Sequence, residues 1–317
     1  KLPTPKPADS ALQFTDKKKY IERLKEARKL TDQDDAIMIA SGKLNGIDIT
    51  CGAQNFSFIG GSFGAASGEA FLHGIDYAID NETPFVFFSC SGGQRMMESA
   101  IALTQMSRTV LAVNELKRKN LPYIVVLTNP TTGGVTASWA MLGDVLIGEP
   151  NATIGFAGAR VIQQTIGESL PEGFQTSESV KEHGGIDLVV PRKDLKDTID
   201  FILGALSSSY ALLNDNERDL GIALLDIGAG TTDIIVYSDG GVKHTGVVPL
   251  GGDNITSDIA HALQTTLQQA EILKCKYGVP KETLANPDEK INILDDNLNR
   301  KQQDYICLLY TSDAADE

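Results

Sequence analysis

Two pairs of consecutive glycines are the residues of this chain with the clearest chemical potential. Gly92-Gly93 and Gly133-Gly134 each follow a short apolar segment and precede a stretch that the sequence predicts to be helical. The first N–H groups of a helix have no intrahelical acceptor, and the helix dipole favours negative charge there. Because glycine has no side chain, a ligand can approach these groups closely. The pairs are therefore candidate oxyanion holes, and the alternative is that they only permit tight strand-to-helix turns.

No conventional nucleophile or base accompanies these glycines in the sequence. Ser89 and Ser91 flank Cys90 and do not form the GxSxG elbow of serine hydrolases. His73 and His183 have no sequence neighbour that identifies either of them as a base. We therefore expect chemistry in which backbone donors stabilise an oxyanion, without a dedicated side-chain base.

A different pattern occupies residues 221–237, where two apolar strands enclose a turn rich in glycine and threonine. Backbone amides and threonine hydroxyls in such a turn can wrap a phosphate, and a carboxylate can hold Mg²⁺ through water. The alternative is a plain hairpin with a Gly-Thr turn. The residues with this nucleotide-binding potential are Asp226, Gly228, Gly230, Thr231, Thr232 and Asp233.

The elements that must position the glycines follow a repeating order of apolar strand, Gly-rich loop and helix. The sequence predicts strands at 57–59, 85–90 and 123–127, followed by helices at 69–80, 94–114 and 135–142. Upstream, the Asn45-Gly46 step predicts a tight hairpin turn between residues 36–40 and 47–51. Such alternation predicts an α/β fold with helices packed over sheets.

Composition separates the chain into two parts and excludes several classes of protein. Of 317 residues, 28 are basic and 42 acidic, a net charge of −14, which argues against nucleic-acid binding. Residues 1–206 carry a net −4 and residues 207–317 a net −10, as expected for two units of different origin. No apolar run reaches the ~18 residues of a membrane span, and the first residues do not resemble a secretory signal, so we expect a cytoplasmic protein. Four isolated cysteines predict neither a disulfide framework nor a metal site.

Several motifs in residues 14–203 resemble the carboxyltransferase β subunit of bacterial acetyl-CoA carboxylase. The matching segments are 58–64, 88–96, 121–138, 141–144, 154–162 and 170–175. The resemblance implies a crotonase-like (ClpP/crotonase) domain of repeated ββα units over residues 1–206. It also implies a transferase of fatty-acid biosynthesis, which moves a carboxyl group from carboxybiotin on a carrier protein to acetyl-CoA and forms malonyl-CoA.

The same resemblance implies roles for single residues. Gly133-Gly134 would hold one oxyanion, and Gly92-Gly93 would serve the thioester side. Gly60 and Gly61 would bind substrate, and Arg95 would meet a CoA phosphate or form a structural ion pair.

The family also implies partners. These are a carboxyltransferase α subunit, in a heterotetramer of two α and two β subunits, and the biotin carboxyl carrier protein. The zinc ribbon that usually opens the β subunit is absent from this chain, and Gln94 and Asn129 stand where alanine and aspartate are usual.

Residues 207–285 resemble part of the actin-like bacterial cell-division ATPase. The first phosphate loop and the adenosine-binding segment of that fold are not found, so we expect the nucleotide motif to be vestigial. The polar tail, residues 286–317, is predicted to be unstructured. We interpret the whole chain as a chimera of two unrelated families. Two alternative functions are a nucleotide-binding division-protein fragment and a crotonase-type acyl-CoA hydratase or isomerase that uses Glu98 or Glu149.

Overall fold

A computed structural model describes residues 1–3, 14–167, 169–238, 241–279, 290–292 and 304–306. The strands are β1 (Ile37–Leu44), β2 (Ile47–Gln54), β3 (Phe85–Ser91), β4 (Tyr123–Thr132), β5 (Val145–Gly148), β6 (Ile154–Gly155), β7 (Leu188–Val189), β8 (Ile222–Ile227), β9 (Thr232–Ser238), β10 (Gly241–Val248), β11 (Lys290–Asn292) and β12 (Asp304–Ile306). The α-helices are α1 (Tyr20–Thr31), α2 (Ala65–Asp80), α3 (Ser99–Arg118), α4 (Ala159–Ile166), α5 (Ser177–Glu182), α6 (Leu195–Leu212), α7 (Asp215–Leu220), α8 (Gly252–Leu263) and α9 (Leu267–Tyr277).

The main sheet has the strand order β1-β2-β3-β4-β5-β7, and β6 pairs with β4. Only the β1–β2 pair is antiparallel, and the predicted turn joins it, with Asn45 at φ 45° and Gly46 at φ 99°. The strands from β2 to β7 pair in parallel. Parallel strands need crossover connections, which the long helices α2 and α3 supply. The α/β fold predicted from the sequence is confirmed.

Large aromatic side chains fill the core between the sheet and helices α2 and α3. The Phe71 ring on α2 lies 5.2 Å from Phe87 and 4.8 Å from Trp139, measured between centroids. Tyr123 stacks on Phe85 at 5.8 Å, and its hydroxyl donates to the Trp139 carbonyl at 3.1 Å. This packing anchors β3 and β4, the two strands that lead into the Gly-Gly turns.

The two helices predicted directly after the glycine pairs do not begin where they were expected. After Gly93 the chain forms a 3₁₀ turn at Met96–Glu98, and α3 begins only at Ser99. After Gly134 only turns and a 3₁₀ segment at Trp139–Met141 follow. Neither glycine pair therefore lies at the N-terminus of an α-helix, and the helix dipole cannot be part of the candidate oxyanion holes.

The chain divides into two compact units. The first contains residues 1–222 and 236–244, and the second contains residues 223–235 and 245–317. The boundary that we predicted after residue 206 falls inside helix α6, which continues without a break to Leu212. Strands β8, β9 and β10 form a separate sheet in the order β10-β9-β8.

In the second unit, helices α8 and α9 pack against each other. Within the predicted tail, β11 and β12 form a short antiparallel pair, and the other residues of that segment lie outside the described ones. Across the described parts of the chain, none of the helices has the length and apolar character needed to cross a membrane.

Candidate functional site

The two Gly-Gly turns lie directly beside each other. They follow the neighbouring parallel strands β3 and β4, which pair from Phe85 opposite Tyr123 to Ser89 opposite Leu127 and then, after a shift in register, with Ser91 opposite Thr131. Gly93 has φ +111° and Gly133 has φ +68°, a backbone region that favours glycine. A Cβ atom on Gly133 would come within 3.0 Å of the Gly93 Cα. The structure therefore brings together the two glycine pairs that the sequence singled out.

Three of the four glycine N–H groups are already used inside the chain. Gly92 donates to the Gly60 carbonyl at 2.9 Å, and Gly93 donates to the Ser91 hydroxyl at 3.0 Å. Gly133 donates to the carbonyls of Phe156 at 2.9 Å and Gly155 at 3.1 Å. These bonds hold the turns rigidly, and the three N–H groups are therefore not available to a ligand.

Gly134 differs from the other three glycines. Its N–H makes no hydrogen bond to any residue in the described part of the chain. It is half-buried, and it follows a turn that is held in place by the Gly133 bonds. A rigid, partly desolvated donor of this kind can stabilise negative charge on a substrate oxygen at little reorganisation cost.

Gly60 and Gly61 support the Gly92-Gly93 turn through their carbonyl groups. The Gly60 carbonyl accepts the Gly92 N–H, and the Gly61 carbonyl accepts from the Ser91 hydroxyl at 2.8 Å and from Gln54 Nε2 at 2.7 Å. A Cβ on Gly61 would lie 2.0 Å from the Cys90 carbonyl oxygen, so only glycine fits. These contacts are structural, and the substrate-binding role of both glycines stays a prediction.

Arg95 lies in the structural ion pair that was the alternative to a CoA contact. Its guanidinium donates to both Asp35 carboxylate oxygens at 2.7 Å, and the residue is 1% exposed. Burial alone would raise the pKa of Asp35, but the charge and hydrogen bonds of Arg95 hold it below its ordinary value of 3.8. The guanidinium is thus turned inward and forms the ion pair, and its role in substrate binding stays a prediction.

Comparison with known proteins identifies the family. Residues 13–189 match the Carboxyl transferase domain. The acetyl-coenzyme A carboxylase carboxyl transferase subunit beta of Pelagibacter ubique (strain HTCC1062) is 55% identical over 218 residues, which cover 69% of this chain and 71% of the relative. The subunit of the same name from Methylobacterium sp. (strain 4-46) is 53% identical over 210 residues, 66% of this chain and 69% of the relative.

This chain belongs to the acetyl-CoA carboxylase carboxyl transferase subunit beta family. It is thus a member of a transferase family whose name denotes one subunit of a larger assembly. A crystal structure of transcarboxylase 12S with methylmalonyl-coenzyme A and methylmalonic acid bound is similar at TM-score 0.50 and 19% identity. The match covers 70% of this chain and 50% of that one. This likeness concerns the fold, and the crotonase-like class predicted from the sequence is confirmed.

The two carboxylates considered for a hydratase within this crotonase-like fold are both engaged. Glu98 is buried and accepts from the Tyr20 hydroxyl, from the Arg95 guanidinium at 3.3 Å and from the Ala65 N–H at 2.5 Å. Glu149 receives two hydrogen bonds from Arg192, at 2.6 Å and 2.8 Å. A general acid or base needs a free carboxyl position toward the substrate. The geometry therefore disfavours the hydratase alternative for this carboxyltransferase-family chain.

One residue near the glycines was noted in the sequence only as a departure from the family pattern. The side chain of Gln94 lies over Gly134: a Cβ there would come within 2.4 Å of the Gln94 Cγ and 3.2 Å of its Nε2. In the sequence, the one signal for this contact is that Gln94 directly follows Gly92-Gly93. The pairing of β3 with β4 brings the residue after this glycine pair beside the Gly133-Gly134 turn.

Residues 223–306, outside the part that matches the carboxyl transferase domain, match a different family, cell division protein FtsA. This match supports the interpretation of the chain as a chimera. The predicted phosphate motif forms the turn between β8 and β9, where the Gly228 N–H donates to the Thr231 carbonyl at 2.8 Å. The carbonyls of Gly228 and Ala229 accept from the first N–H groups of α8, at 3.0 Å and 2.6 Å.

The other members of the motif lie on or beside the same turn. Thr232 donates its hydroxyl to the Leu250 carbonyl at 2.8 Å, and Gly230 is exposed. Burial and the charge of Asp226 raise the pKa of Asp233 above its ordinary value. The nucleotide-binding role of these residues stays a prediction.

Proposed function

We propose that this chain provides the β half of an acetyl-CoA carboxyltransferase. Together with a carboxyltransferase α subunit, it would move a carboxyl group from carboxybiotin on the biotin carboxyl carrier protein to acetyl-CoA, forming malonyl-CoA in the cytoplasm. The support is the family membership together with one structural observation, the Gly134 N–H that has no acceptor among the described residues.

The reaction needs stabilised oxyanions more than it needs a base. Carboxybiotin would supply the CO₂, and the negatively charged ureido group left behind would take up the methyl proton of acetyl-CoA. The enolate formed in this way would then bond to CO₂ through its carbon. Both charges rest largely on oxygen. A donor that binds this oxygen more strongly in the transition state than in the ground state accelerates the step.

In this mechanism the Gly134 N–H donates to the developing oxyanion. The bonds of Gly133 to the Gly155 and Phe156 carbonyls, and of Gly92 to the Gly60 carbonyl, hold the surrounding turns still. Donors that are already rigid lose little conformational entropy during the reaction. Gly93 and Gly133 keep the two turns in contact, so their part is to position the donor.

The test is reconstitution of the full chain with a carboxyltransferase α subunit, followed by malonyl-CoA decarboxylation in the presence of biotin. The side chain of Gly134→Val should block the close approach of a substrate oxygen to this N–H and so lower the rate about 10²–10³-fold, the size typical of a lost oxyanion donor. Gly42→Val is the matched control, because no atom lies within 4 Å of a Cβ at Gly42. Wild-type rates from the Gly134 variant, or no activity from wild-type protein that circular dichroism shows to be folded, would overturn the proposal.

A further inference from the structure

The carboxamide of Gln94 is buried without any hydrogen bond. Both Oε1 and Nε2 are shielded from solvent, and neither has a partner in the described part of the chain. Buried polar atoms are almost always paired, since an unpaired amide loses its bonds to water and gains nothing in return. An exception of this kind next to a candidate site calls for a functional explanation.

A second glutamine shows what a structural carboxamide looks like in this fold. Gln54 Nε2 donates to the Gly61 carbonyl at 2.7 Å, and its Oε1 accepts from the Cys90 N–H at 3.4 Å. Both ends of that side chain hold the loops of the site together. Gln94 lies only a few residues from these loops yet supports none of them through its side chain.

The position of Gln94 relates it to the free donor. Its Cγ, Cδ and Nε2 lie 2.4, 3.0 and 3.2 Å from the place where a Cβ of Gly134 would be. The residue as a whole is half-buried, so rotation about its side-chain torsions can turn the carboxamide outward. A substrate oxygen that accepts the Gly134 N–H would come within reach of the turned Nε2.

We propose that Gln94 is a catalytic residue that supplies a second donor, Nε2–H, to the oxyanion held by Gly134. This inference rests on the proposed function, because it assumes the same substrate oxygen. Without substrate, the Gln94 amide is buried and unpaired, which costs free energy. A hydrogen bond from Nε2 to the substrate oxygen would remove the part of this cost that belongs to Nε2. This contribution adds to a reaction that the Gly134 N–H already supports.

Three variants of the full chain, reconstituted with the α subunit, test the assignment. Gln94→Met keeps the length of the side chain and removes its hydrogen bonds, so kcat should fall about tenfold with KM nearly unchanged. The free energy of unfolding should stay the same or rise, because the unpaired amide is gone. Gln54→Met should instead lower stability, and Gln268→Met, on the exposed face of α9, should change neither quantity.

Gln94→Glu adds a readout that packing alone would not change. Its carboxylate repels an oxyanion and cannot donate, so activity at neutral pH should fall further than in Gln94→Met. As the pH is lowered toward about 5, protonation restores a donor and part of the rate should return, relative to wild type at the same pH.

The outcomes separate the two proposals. Wild-type kcat in Gln94→Met, or a loss of kcat that goes with a loss of stability like that of Gln54→Met, would refute the role of Gln94 and leave the function intact. An inactive, folded wild-type chain would refute both.

Discussion

Gly93 and Gly133 lie against each other in the turns that follow two neighbouring strands, with the Cα of each close to where a Cβ of the other would lie. A Cβ on Gly93 would come within 3.2 Å of the Gly133 Cα, and one on Gly133 within 3.0 Å of the Gly93 Cα. Both have positive φ angles. This contact joins the turn after β3 to the turn after β4 and so determines where the Gly134 N–H lies.

Gly133→Ala should therefore destabilise the first unit. Left-handed backbone alone costs a residue with a Cβ about 1–2 kcal/mol, and the contact with Gly93 adds to this. Urea unfolding can be followed through Trp139, the single tryptophan of the chain, which is buried in the same unit. Gly42→Ala, in open space on β1, is the control. Equal unfolding curves for Gly133→Ala and wild type would contradict the tight contact.

Arg95→Met should be among the most destabilising substitutions. It leaves the Asp35 carboxylate buried and unpaired, a change that costs about 3–5 kcal/mol in typical proteins. Arg118→Met removes an exposed pair with Glu115, for which about 0–1 kcal/mol is expected. Unfolding of both variants by urea, again followed at Trp139, makes the comparison. A loss in Arg95→Met no larger than that in Arg118→Met would show that the ion pair is not formed.

The same pair predicts a specific dependence of stability on pH. Because folding lowers the pKa of Asp35 from its ordinary 3.8, its stabilising effect is complete above that value and disappears as the pH falls through the folded pKa. Asp35→Asn should be less stable than wild type at neutral pH and should lose less stability in acid. Glu115→Gln, at an exposed site, controls for general acid effects. Parallel acid profiles for Asp35→Asn and wild type would rule out this assignment.

The hydrogen bonds of Glu98 predict that the reconstituted protein does not hydrate enoyl-CoA. This carboxylate is buried and is held by the Tyr20 hydroxyl, the Arg95 guanidinium and the Ala65 N–H, so it is engaged in the protein rather than directed at a substrate water. Hydration of an enoyl-CoA substrate can be followed by the loss of its conjugated absorbance. Turnover by wild type that disappears in Glu98→Gln would instead favour the hydratase function.

The phosphate motif of the second unit is expected to have no part in carboxyl transfer. The double variant Asp226→Asn/Asp233→Asn, reconstituted with the α subunit, should retain wild-type malonyl-CoA decarboxylation. Calorimetric titration of the wild-type chain with Mg²⁺ and ATP should show no binding, because the Gly228 N–H of the turn already donates to the Thr231 carbonyl and the turn's carbonyls accept the first N–H groups of α8. Heat of binding that is lost in the double variant would show a working nucleotide site.

The fold class, the family and the two glycine pairs could all be predicted from the amino-acid sequence. Alternating apolar segments and Gly-rich loops are local patterns, and the Asn45-Gly46 hairpin follows from backbone preferences alone. The motifs around residues 88–96 and 121–138 are long enough to indicate the family without any knowledge of contacts. These features depend on residues that are near each other in the chain.

Which backbone donors remain available to a ligand could be seen only in the folded chain. Strand register brought Gly93 against Gly133, and hydrogen bonds between distant loops used the N–H groups of Gly92 and Gly133 while leaving that of Gly134. The Arg95 guanidinium points into the protein because the Asp35 carboxylate, 60 positions away in the sequence, accepts its hydrogen bonds. Whether a donor is occupied depends on acceptors that are remote in sequence, and so no local pattern could distinguish Gly134 from its neighbours.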